Sequence, residues 1–354
     1  MAMLTLVPSA MGGSETYARE LTRQLGASTR VSVTAHVARG ARGFSVGVPE
    51  TVAHSVGGGD SSRDRVKTIL ETTFRRRSLL VAMRPFDVIH YPFTVPLPRP
   101  PRDTAAVVTL HDLQHLDLPG LFSPAERLYR RHLYEAAARS ADRVITISQF
   151  VRESIVRHLE IDRDRITVAH LGVDPSAFTP HLGDRDPFVL YPARGWPHKN
   201  HPRLIEAVRL LREDMPGLRL VLTGGGLEAL GAQPEWVEVL GQVPFERLTE
   251  LYRRAACLAF PSMYEGFGLP PLEAMASGCP VAASSAGALP EVCGDAAVLF
   301  DPRDAHAMAA SIGAAIADSS SLQTRGLARV KSFTWSSCAS AHEDAFIAAA
   351  GLAP

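Results

Sequence analysis

The sequence predicts an α/β protein made of two successive, doubly wound parallel-sheet halves. Short apolar runs alternate with amphipathic helical stretches along the whole chain, the βα repetition of a mostly parallel sheet covered on both faces. The repetition pauses at Gly172-Val173-Asp174-Pro175, crosses a polar stretch with Pro180 and Gly183, and restarts at Phe188-Val189-Leu190-Tyr191. A chain of 354 residues also exceeds what one hydrophobic core usually organises. The expected divisions are residues 1–174, a linker over 175–186, a second half over 187–333, and a C-terminal segment, 334–354.

In the first half, Met3 to Val7 reads as a strand, Gly12-Gly13-Ser14-Glu15 as a turn, and Glu15 to Leu25 as a helix with Tyr17, Ala18, Leu21 and Leu25 on one face. Strands follow around Val31–Val37, Phe86–Tyr91, Ala105–Leu110 and Arg143–Ile147, with a helix from Pro124 to Ala138 before the last. Arg165 to Leu171 closes the half. Ligands of such sheets bind beyond the carboxyl ends of strands, where Gly12-Gly13 and His111-Asp112 both sit. Gly12-Gly13 lacks the Gly-x-Gly-x-x-Gly of a dinucleotide fold and alone is a weak phosphate-loop signal. A lone histidine after a core strand is more often satisfied by a neighbouring carbonyl than catalytic.

The second half continues with a helix from Pro202 to Glu213, strands Leu218–Leu222 and Trp236–Leu240, and a helix from Phe245 to Ala256. Cys257 to Ser262 is the next strand, Val281 to Ser284 another, and a last long helix covers about Trp335 to Ala349. Lysine is scarce: against 34 arginines there are only Lys67, Lys199 and Lys331. Lys199 lies in the loop after the first strand, five residues beyond Arg194. Cations oppose the dipole at a helix start, so a compact ammonium and a planar guanidinium there suggest neutralisation of a diphosphate. Glycines at Thr223-Gly224-Gly225-Gly226 leave backbone room for a ligand.

The stretch on which the rest depends is Tyr264-Glu265-Gly266-Phe267-Gly268-Leu269-Pro270-Pro271-Leu272-Glu273-Ala274. Gly266 and Gly268 permit torsions and close approach that a side chain forbids, and the two prolines suit a first helical turn. A helix N-terminus favours an anion such as phosphate. Glu265 stays on the loop and Glu273 falls about one turn into the helix, so two carboxylates flank the anion seat.

Composition narrows the class. With 46% hydrophobic and 21% charged residues the chain is globular. No run of eighteen apolar residues exists, and Met1 to Val7 is too short and lacks basic flanks for a signal peptide, so a soluble, cytoplasmic protein is expected. Cys257, Cys279, Cys293 and Cys338 have no metal-ligand spacing and are expected to pack reduced. The net charge is zero, with no nucleic-acid partner expected, but residues 1–175 carry +5 (23 basic, 18 acidic) and the rest −5 (14 basic, 19 acidic). Part of the excess lies in residues 63–84, with Arg75-Arg76-Arg77 beside Ile69, Leu70, Phe74, Leu79 and Leu80. Such a segment suits peripheral contact with anionic lipid or steering of an acidic acceptor; a solvated helix face is the commoner outcome.

The Glu-x7-Glu turn with Gly-Phe-Gly-Leu inside it resembles the signature of glycosyltransferase family 4, retaining enzymes of the GT-B fold, whose two Rossmann-like domains face across a cleft. The resemblance spans nearly the whole chain. It implies that Glu265 contacts the donor sugar's hydroxyls and Glu273 the nucleotide ribose, with Gly266, Phe267, Gly268 and Leu269 lining the site between them. The family's Arg-x4-Lys pair matches Arg194 and Lys199; its Gly-Gly-x-Glu turn against pyrophosphate and acceptor matches Gly12, Gly13 and Glu15. Its His-Asp step matches His111, bordering the reacting sugar, and Asp112, an acceptor contact or orienter. Val243 corresponds to a backbone contact with the base, and the last helix to one crossing back onto the first domain. Ala286-Gly287-Ala288-Leu289-Pro290-Glu291 resembles the family's Gly-x-x-Pro-Glu turn.

The variant Trp196-Pro197-His198-Lys199-Asn200-His201 is most similar to bacterial mannosyl- and rhamnosyl-transferases of polysaccharide assembly. This implies transfer of a hexose or deoxyhexose from a nucleotide-diphosphate sugar, GDP-mannose first, to a saccharide, lipid-linked or natural-product hydroxyl. No cofactor or metal is expected: Asp162-Arg163-Asp164 and Asp184-Arg185-Asp186 match Asp-x-Asp superficially but read as solvated turns in polar connections. A sugar-nucleotide epimerase or phosphorylase on the same fold, and a non-catalytic nucleotide-sugar-binding subunit, are the rival readings. Specificity is expected in Gln114 to Arg131, with Phe122 and Tyr129.

Overall fold

The computed structural model describes residues 1–8, 11–59, 62–83, 85–101 and 103–352. The chain divides into two compact units: unit 1 is residues 1–171 with the segment from Trp335 onward, and unit 2 is Gly172–Thr334.

In unit 1 the elements are β1 (Ala2–Met3), α1 (Gly13–Leu25), β2 (Ala35–Ala38), β3 (Glu50–Ala53), α2 (Ser62–Phe74), α3 (Arg76–Met83), β4 (Val88–Tyr91) and β5 (Ala105–Leu110). After these come α4 (Gln114–Asp117), α5 (Pro124–Arg130), α6 (Ala136–Ser140), β6 (Arg143–Thr146), α7 (Gln149–Leu159) and β7 (Ile166–Val168). Among the described residues the strands form parallel sheets in the orders β1-β2-β3 and β4-β5-β6-β7, and β1 lies beside β4. Side chains such as Tyr91, Val108, Leu110, Val144 and Ile155 fill the core against these sheets.

The strand expected over Met3–Val7 is shorter. Only Ala2 and Met3 pair, with His36 and Val37, and the chain then turns as Leu6 N–H donates to the Met3 carbonyl. Leu4 and Leu6 are buried without a ladder partner, so their apolarity reports burial alone. The Pro124 helix starts as expected, with Ser123 Oγ accepting from Glu126 N–H at 3.2 Å, but widens into a π turn over Arg131–Glu135. The basic 63–84 segment is two helices, α2 and α3. Arg84 and the side chain of Arg63 lie outside the described residues. Leu79, Leu80 and Met83 are buried, whereas Phe74 is 85% exposed, so the apolar face is split between core and surface.

Unit 2 contains β8 (Asp186–Pro192), α8 (His201–Leu211), β9 (Arg219–Thr223), β10 (Val237–Gly241), α9 (Phe245–Arg254), β11 (Ala255–Phe260), α10 (Leu269–Ala276), β12 (Val281–Ser284), α11 (Leu289–Cys293), β13 (Val298–Phe300), α12 (Ala305–Ala317) and α13 (Ser319–Val330). Its sheet is parallel in the order β10-β9-β8-β11-β12-β13. The order reverses between β8 and β11, and at such a switch the loops beyond neighbouring strand ends diverge and leave a crevice. The last helix, α14 (Trp335–Ala349), belongs to unit 1, against α1 and β5.

Residues 175–186, expected as a linker, are fastened to unit 2. The Arg185 guanidinium donates to the carbonyls of Tyr252 (3.1 Å), Arg253 (2.9 Å), Ala255 (3.1 Å), His181 (2.6 Å) and Gly278. This corrects the reading of Asp184-Arg185-Asp186 as a solvated turn: a planar five-donor head gathers carbonyls that several chain ends leave unpaired. Asp186 opens β8 and pairs with Arg254. At the other Asp-x-Asp, Asp162 accepts from Asp164 N–H at 3.0 Å and Arg163 pairs with Glu153, as expected of a surface turn. All four cysteines are buried and free.

Candidate active site

The switch point of unit 2 joins the two loops the sequence singled out. Lys199 ends a short turn, Pro197–Lys199, after β8, and Glu265 lies in the loop after β11. Lys199 Nζ stands 2.6 Å from Glu265 Oε1, and the side chains are only 14% and 13% exposed. Several bonds hold this pair in place. Tyr191 OH donates to the Lys199 carbonyl at 2.7 Å, and Met263 N–H to the His198 carbonyl at 2.8 Å. Asn200, left-handed at φ 63°, donates from Nδ2 to the carbonyls of Pro261 (3.2 Å) and Pro302 (2.7 Å). Asparagine tolerates that backbone conformation. The sequence marks Asn200 only by a Lys-Asn step before a helix.

Glu265 is fixed from the other side. Ala288 N–H donates to its carbonyl at 3.0 Å, and Gly287, at φ +64°, brings its Cα so close that a Cβ would meet that carbonyl at 2.6 Å. The Gly-x-x-Pro-Glu turn thus acts by letting backbone reach backbone. Gly268, at φ +108°, makes room for a side chain instead: a Cβ there would lie 2.7 Å from Leu289 Cδ2. Gly266 and Leu269 stay half-buried on the loop. Phe267, expected at the ligand, is instead 2% exposed and packs edge-on against Phe333 at 5.7 Å. Only its backbone remains for a ligand, because burial of a large ring outweighs a loop's exposure. Pro270 and Pro271 carry no N–H, so the amides at this end of α10 are fewer than in an ordinary helix start.

Glu273, on α10, accepts at Oε2 from Tyr252 OH at 2.8 Å. Burial pushes the Glu273 carboxyl upward, opposed by that hydroxyl. From sequence Tyr252 is only one residue of a helix; that a buried tyrosine needs a partner for its tip is the available clue. Arg194 stacks its guanidinium over Trp196, 5.5 Å from the ring centroid. The room made by Gly224, at φ +140°, is filled by the Ala193 carbonyl, which a Cβ would meet at 2.2 Å, so that glycine serves loop against loop. Its neighbour Gly225 faces open space. Val243 is half-buried just beyond β10.

In unit 1, Gly12 stands just before α1 at φ 57° with its carbonyl accepting from Glu15 and Thr16, and Gly13 is exposed. Glu15 forms an ion pair with Arg19 at 3.5 Å. His111 Nε2 lies 2.8 Å from the Pro92 carbonyl, which only accepts, so Nε2 carries the proton of the neutral ring and Nδ1 keeps a lone pair. Burial lowers its pKa. Asp112 accepts from Gln114 N–H at 3.1 Å and lies 3.8 Å from Arg130, whose guanidinium covers Phe122 at 4.6 Å and Tyr134 at 5.3 Å.

A buried hydrogen-bonded chain stands beside His111. Tyr17, edge-on to the His111 ring at 5.0 Å, is 2.7 Å from His342 Nε2 and 2.9 Å from Thr109 Oγ1; His90 Nε2 is 2.8 Å from the same Thr109 oxygen. His342 Nδ1 lies 2.7 Å from the Cys338 carbonyl. Burial holds His342 near 4 and His90 well below its ordinary value, so both rings are neutral. Proton positions then follow in one direction: His342 gives Nδ1–H to Cys338, so Tyr17 donates to His342, Thr109 to Tyr17, and His90 Nε2–H to Thr109.

The comparisons agree with this architecture. Residues 11–177 match the family described as Glycosyltransferase Family 4, and 176–326 that described as Glycosyl transferases group 1. O-antigen chain mannosyltransferase B of Escherichia coli is 34% identical over 68% of this chain and 69% of its own length. O-antigen chain mannosyltransferase RfbU of Salmonella typhimurium is 30% identical over 56% and 57%, and the MMP alpha-(1->4)-mannosyltransferase of Mycolicibacterium hassiacum 32% over 58% and 54%. Among solved structures, sucrose-phosphate synthase from Thermosynechococcus elongatus aligns at TM-score 0.73 with 23% identity, covering 93% of this chain and 91% of that one. Anabaena HepE in complex with UDP aligns at 0.71 with 17% identity and 96% of each chain. Two Rossmann-like units carrying these turns make the fold GT-B, and the chain belongs to the family 4 glycosyltransferases.

Proposed function

We propose that the chain is a retaining glycosyltransferase that needs no metal and moves mannose, or a related hexose or deoxyhexose, from a nucleotide-diphosphate sugar to a saccharide or lipid-linked hydroxyl. The observation that carries this is the Lys199–Glu265 pair at the switch point of unit 2. A largely buried ammonium with one N–H given to Glu265 keeps two for phosphate oxygens, in a place where charge is weakly screened. In the reaction, the bond from anomeric carbon to phosphate oxygen breaks and one from the acceptor oxygen forms on the same face. The acceptor's proton goes to the departing phosphate. Charge grows on that phosphate, and Lys199, with Arg194 and the Gly268 and Leu269 amides, meets it without reorganising. Glu265 holds Lys199 and receives sugar hydroxyls; Glu273 receives the ribose. In unit 1, His111 accepts a sugar hydroxyl at Nδ1, and Gly12, Gly13, Glu15 and Asp112 serve the substrates.

The mannosyltransferase relatives support a mannose donor. A cavity of about 230 Å³ in unit 1, lined by Met11, Phe93, Tyr129, Arg130 and Tyr134, supports an acceptor subsite in the segment expected to set specificity. No helix among the described residues is long and apolar enough to cross a membrane. Cytoplasmic work at the membrane surface is proposed on Lys67, Arg75 and Arg77 around the exposed Phe74. Co-sedimentation with phosphatidylglycerol vesicles, lost in Phe74→Glu, checks it. For the activity, thermal shift with GDP-mannose and with UDP- and dTDP-sugars identifies the donor, and mass spectrometry of acceptor products identifies transfer. GDP-mannose is expected to stabilise most, and transfer to persist in EDTA. No stabilisation by any donor, an epimerised donor formed without acceptor, or EDTA loss restored by manganese would overturn the corresponding part.

A further inference from the structure

The turn that leads out of β4 is strained, and it carries the carbonyl that holds His111. Thr94 stands at φ 69°, a left-handed conformation that glycine accepts and a β-branched side chain resists. Val95 N–H donates to the Phe93 carbonyl at 2.7 Å across it, which makes Phe93–Val95 a γ-turn of the rare positive-φ kind. Strain of this sort persists only where the surroundings over-determine the backbone, and it clusters at functional sites.

Here the surroundings are specific. The ladder between β4 and β5 ends at the pair Tyr91–Val108, and Pro92, next along the chain, has no N–H to extend it. The Thr109 carbonyl accepts instead from Thr94 Oγ1 at 2.8 Å, a buried bond that a glycine in the same conformation could not make. Drawn onto β5 in this way, the turn presents the Pro92 carbonyl to His111 Nε2 at 2.8 Å and sets Phe93 and Val95 in the wall of the cavity of about 230 Å³. Thr109 reaches the ring from another side as well. Its hydroxyl bonds to Tyr17 at 2.9 Å, and the Tyr17 ring meets His111 edge-on at 5.0 Å.

We propose that Thr94 is a positioning residue for transfer: its hydroxyl clamps the positive-φ turn to β5, so that one short segment fixes both the His111 ring and a wall of the acceptor cavity. This rests on the roles given above to His111 and to that cavity. With the Pro92 carbonyl in place, the Nε2 proton is held and Nδ1 keeps a lone pair for a sugar hydroxyl. With the turn relaxed to negative φ, that carbonyl moves away and the neutral ring is free to carry its proton on Nδ1, where it no longer accepts. Glycine would suit the backbone at position 94 better, so the threonine is explained by its hydroxyl.

The test compares Thr94→Val, Thr94→Gly, Thr94→Ser and His111→Gln with the parent in the full chain. Three quantities are read: nucleotide release from GDP-mannose with octyl α-mannoside as acceptor, thermal shift by GDP, and the ¹⁵N resonances of His111, assigned by their absence in His111→Gln. Thr94→Val deletes the hydroxyl at nearly equal bulk. Thr94→Gly deletes it while fitting φ 69°, and so serves if the valine variant does not fold. Both are expected to lower kcat about ten- to hundredfold and to raise KM for octyl α-mannoside, with the shift by GDP unchanged. In both, the two His111 nitrogens are expected to move from separate protonated and bare values toward a common average. Thr94→Ser is expected to match the parent. Parental kcat in a folded variant without the hydroxyl, an unmoved His111 signal, or a Thr94→Ser enzyme as slow as Thr94→Val would each overturn the proposal while His111→Gln remains slow. Parental turnover in His111→Gln, or no nucleotide release by the parent, would overturn the reading of the site on which the proposal rests, and the proposal with it.

Discussion

Replacing Lys199 by methionine keeps the side chain's length and bulk and deletes its charge. Nζ then no longer stands 2.6 Å from Glu265 Oε1, in a pair that is 14% and 13% exposed. Two losses of different kind follow. A carboxylate is stranded where little water reaches it; a fully buried orphan costs about 3–5 kcal/mol, and with part of this pair still wet about 2 kcal/mol is expected, lowering Tm by about 4–8 °C in a domain of this size. The departing diphosphate also loses a preorganised cation, for which a fall of about 10²–10³ in kcat is expected. The double variant Lys199→Met, Glu265→Gln separates the two, since a neutral amide strands no charge. It is expected to regain most of the Tm and none of the kcat, read by scanning calorimetry and by nucleotide release in the presence of acceptor. A Lys199→Met enzyme within about threefold of the parent, or a double variant that recovers turnover together with Tm, would show the pair to be a structural brace and refute its part in transfer.

Tyr252→Phe removes the donor to Glu273 and is expected to raise KM for the nucleotide sugar about five- to tenfold with kcat kept; an unchanged KM refutes the placement of Glu273 at the donor. Gly287→Ala forces a side chain at φ +64° and sets a Cβ 2.6 Å from the Glu265 carbonyl, so a loss of about 2–4 kcal/mol with displaced Glu265 is expected; a Tm within about 2 °C of the parent contradicts it. His36 and His342 are held near 4 by burial, below their ordinary 6.5. The unfolded chain therefore takes up protons first as pH falls, so stability is intact above about 6.5 and lost toward 4, about 2 kcal/mol per histidine at pH 5. Urea midpoints that do not move between pH 7 and pH 5 refute this, and His342→Gln should flatten the slope.

Local pattern sufficed where local energetics decide. Ala105–Leu110, Val281–Ser284 and the helix Trp335–Ala349 fall where the sequence puts them, because long apolar or periodic runs between breakers have one way to bury themselves. The loops bearing Lys199 and Glu265 were legible as well, since glycine and proline restrict backbone and a lone lysine among arginines stands out. Tertiary structure decided what depends on a partner. Met3–Val7 contracts to Ala2–Met3 because ladder pairing, not apolarity, makes a strand, and Phe267 turns inward because Phe333 offers it a face. Arg185 gathers carbonyls from chain ends far apart in sequence, and Tyr17 meets a histidine 325 residues away. Periodicity records which side of an element is apolar; which buried polar atom finds which partner is settled only when distant strand ends and helices come together.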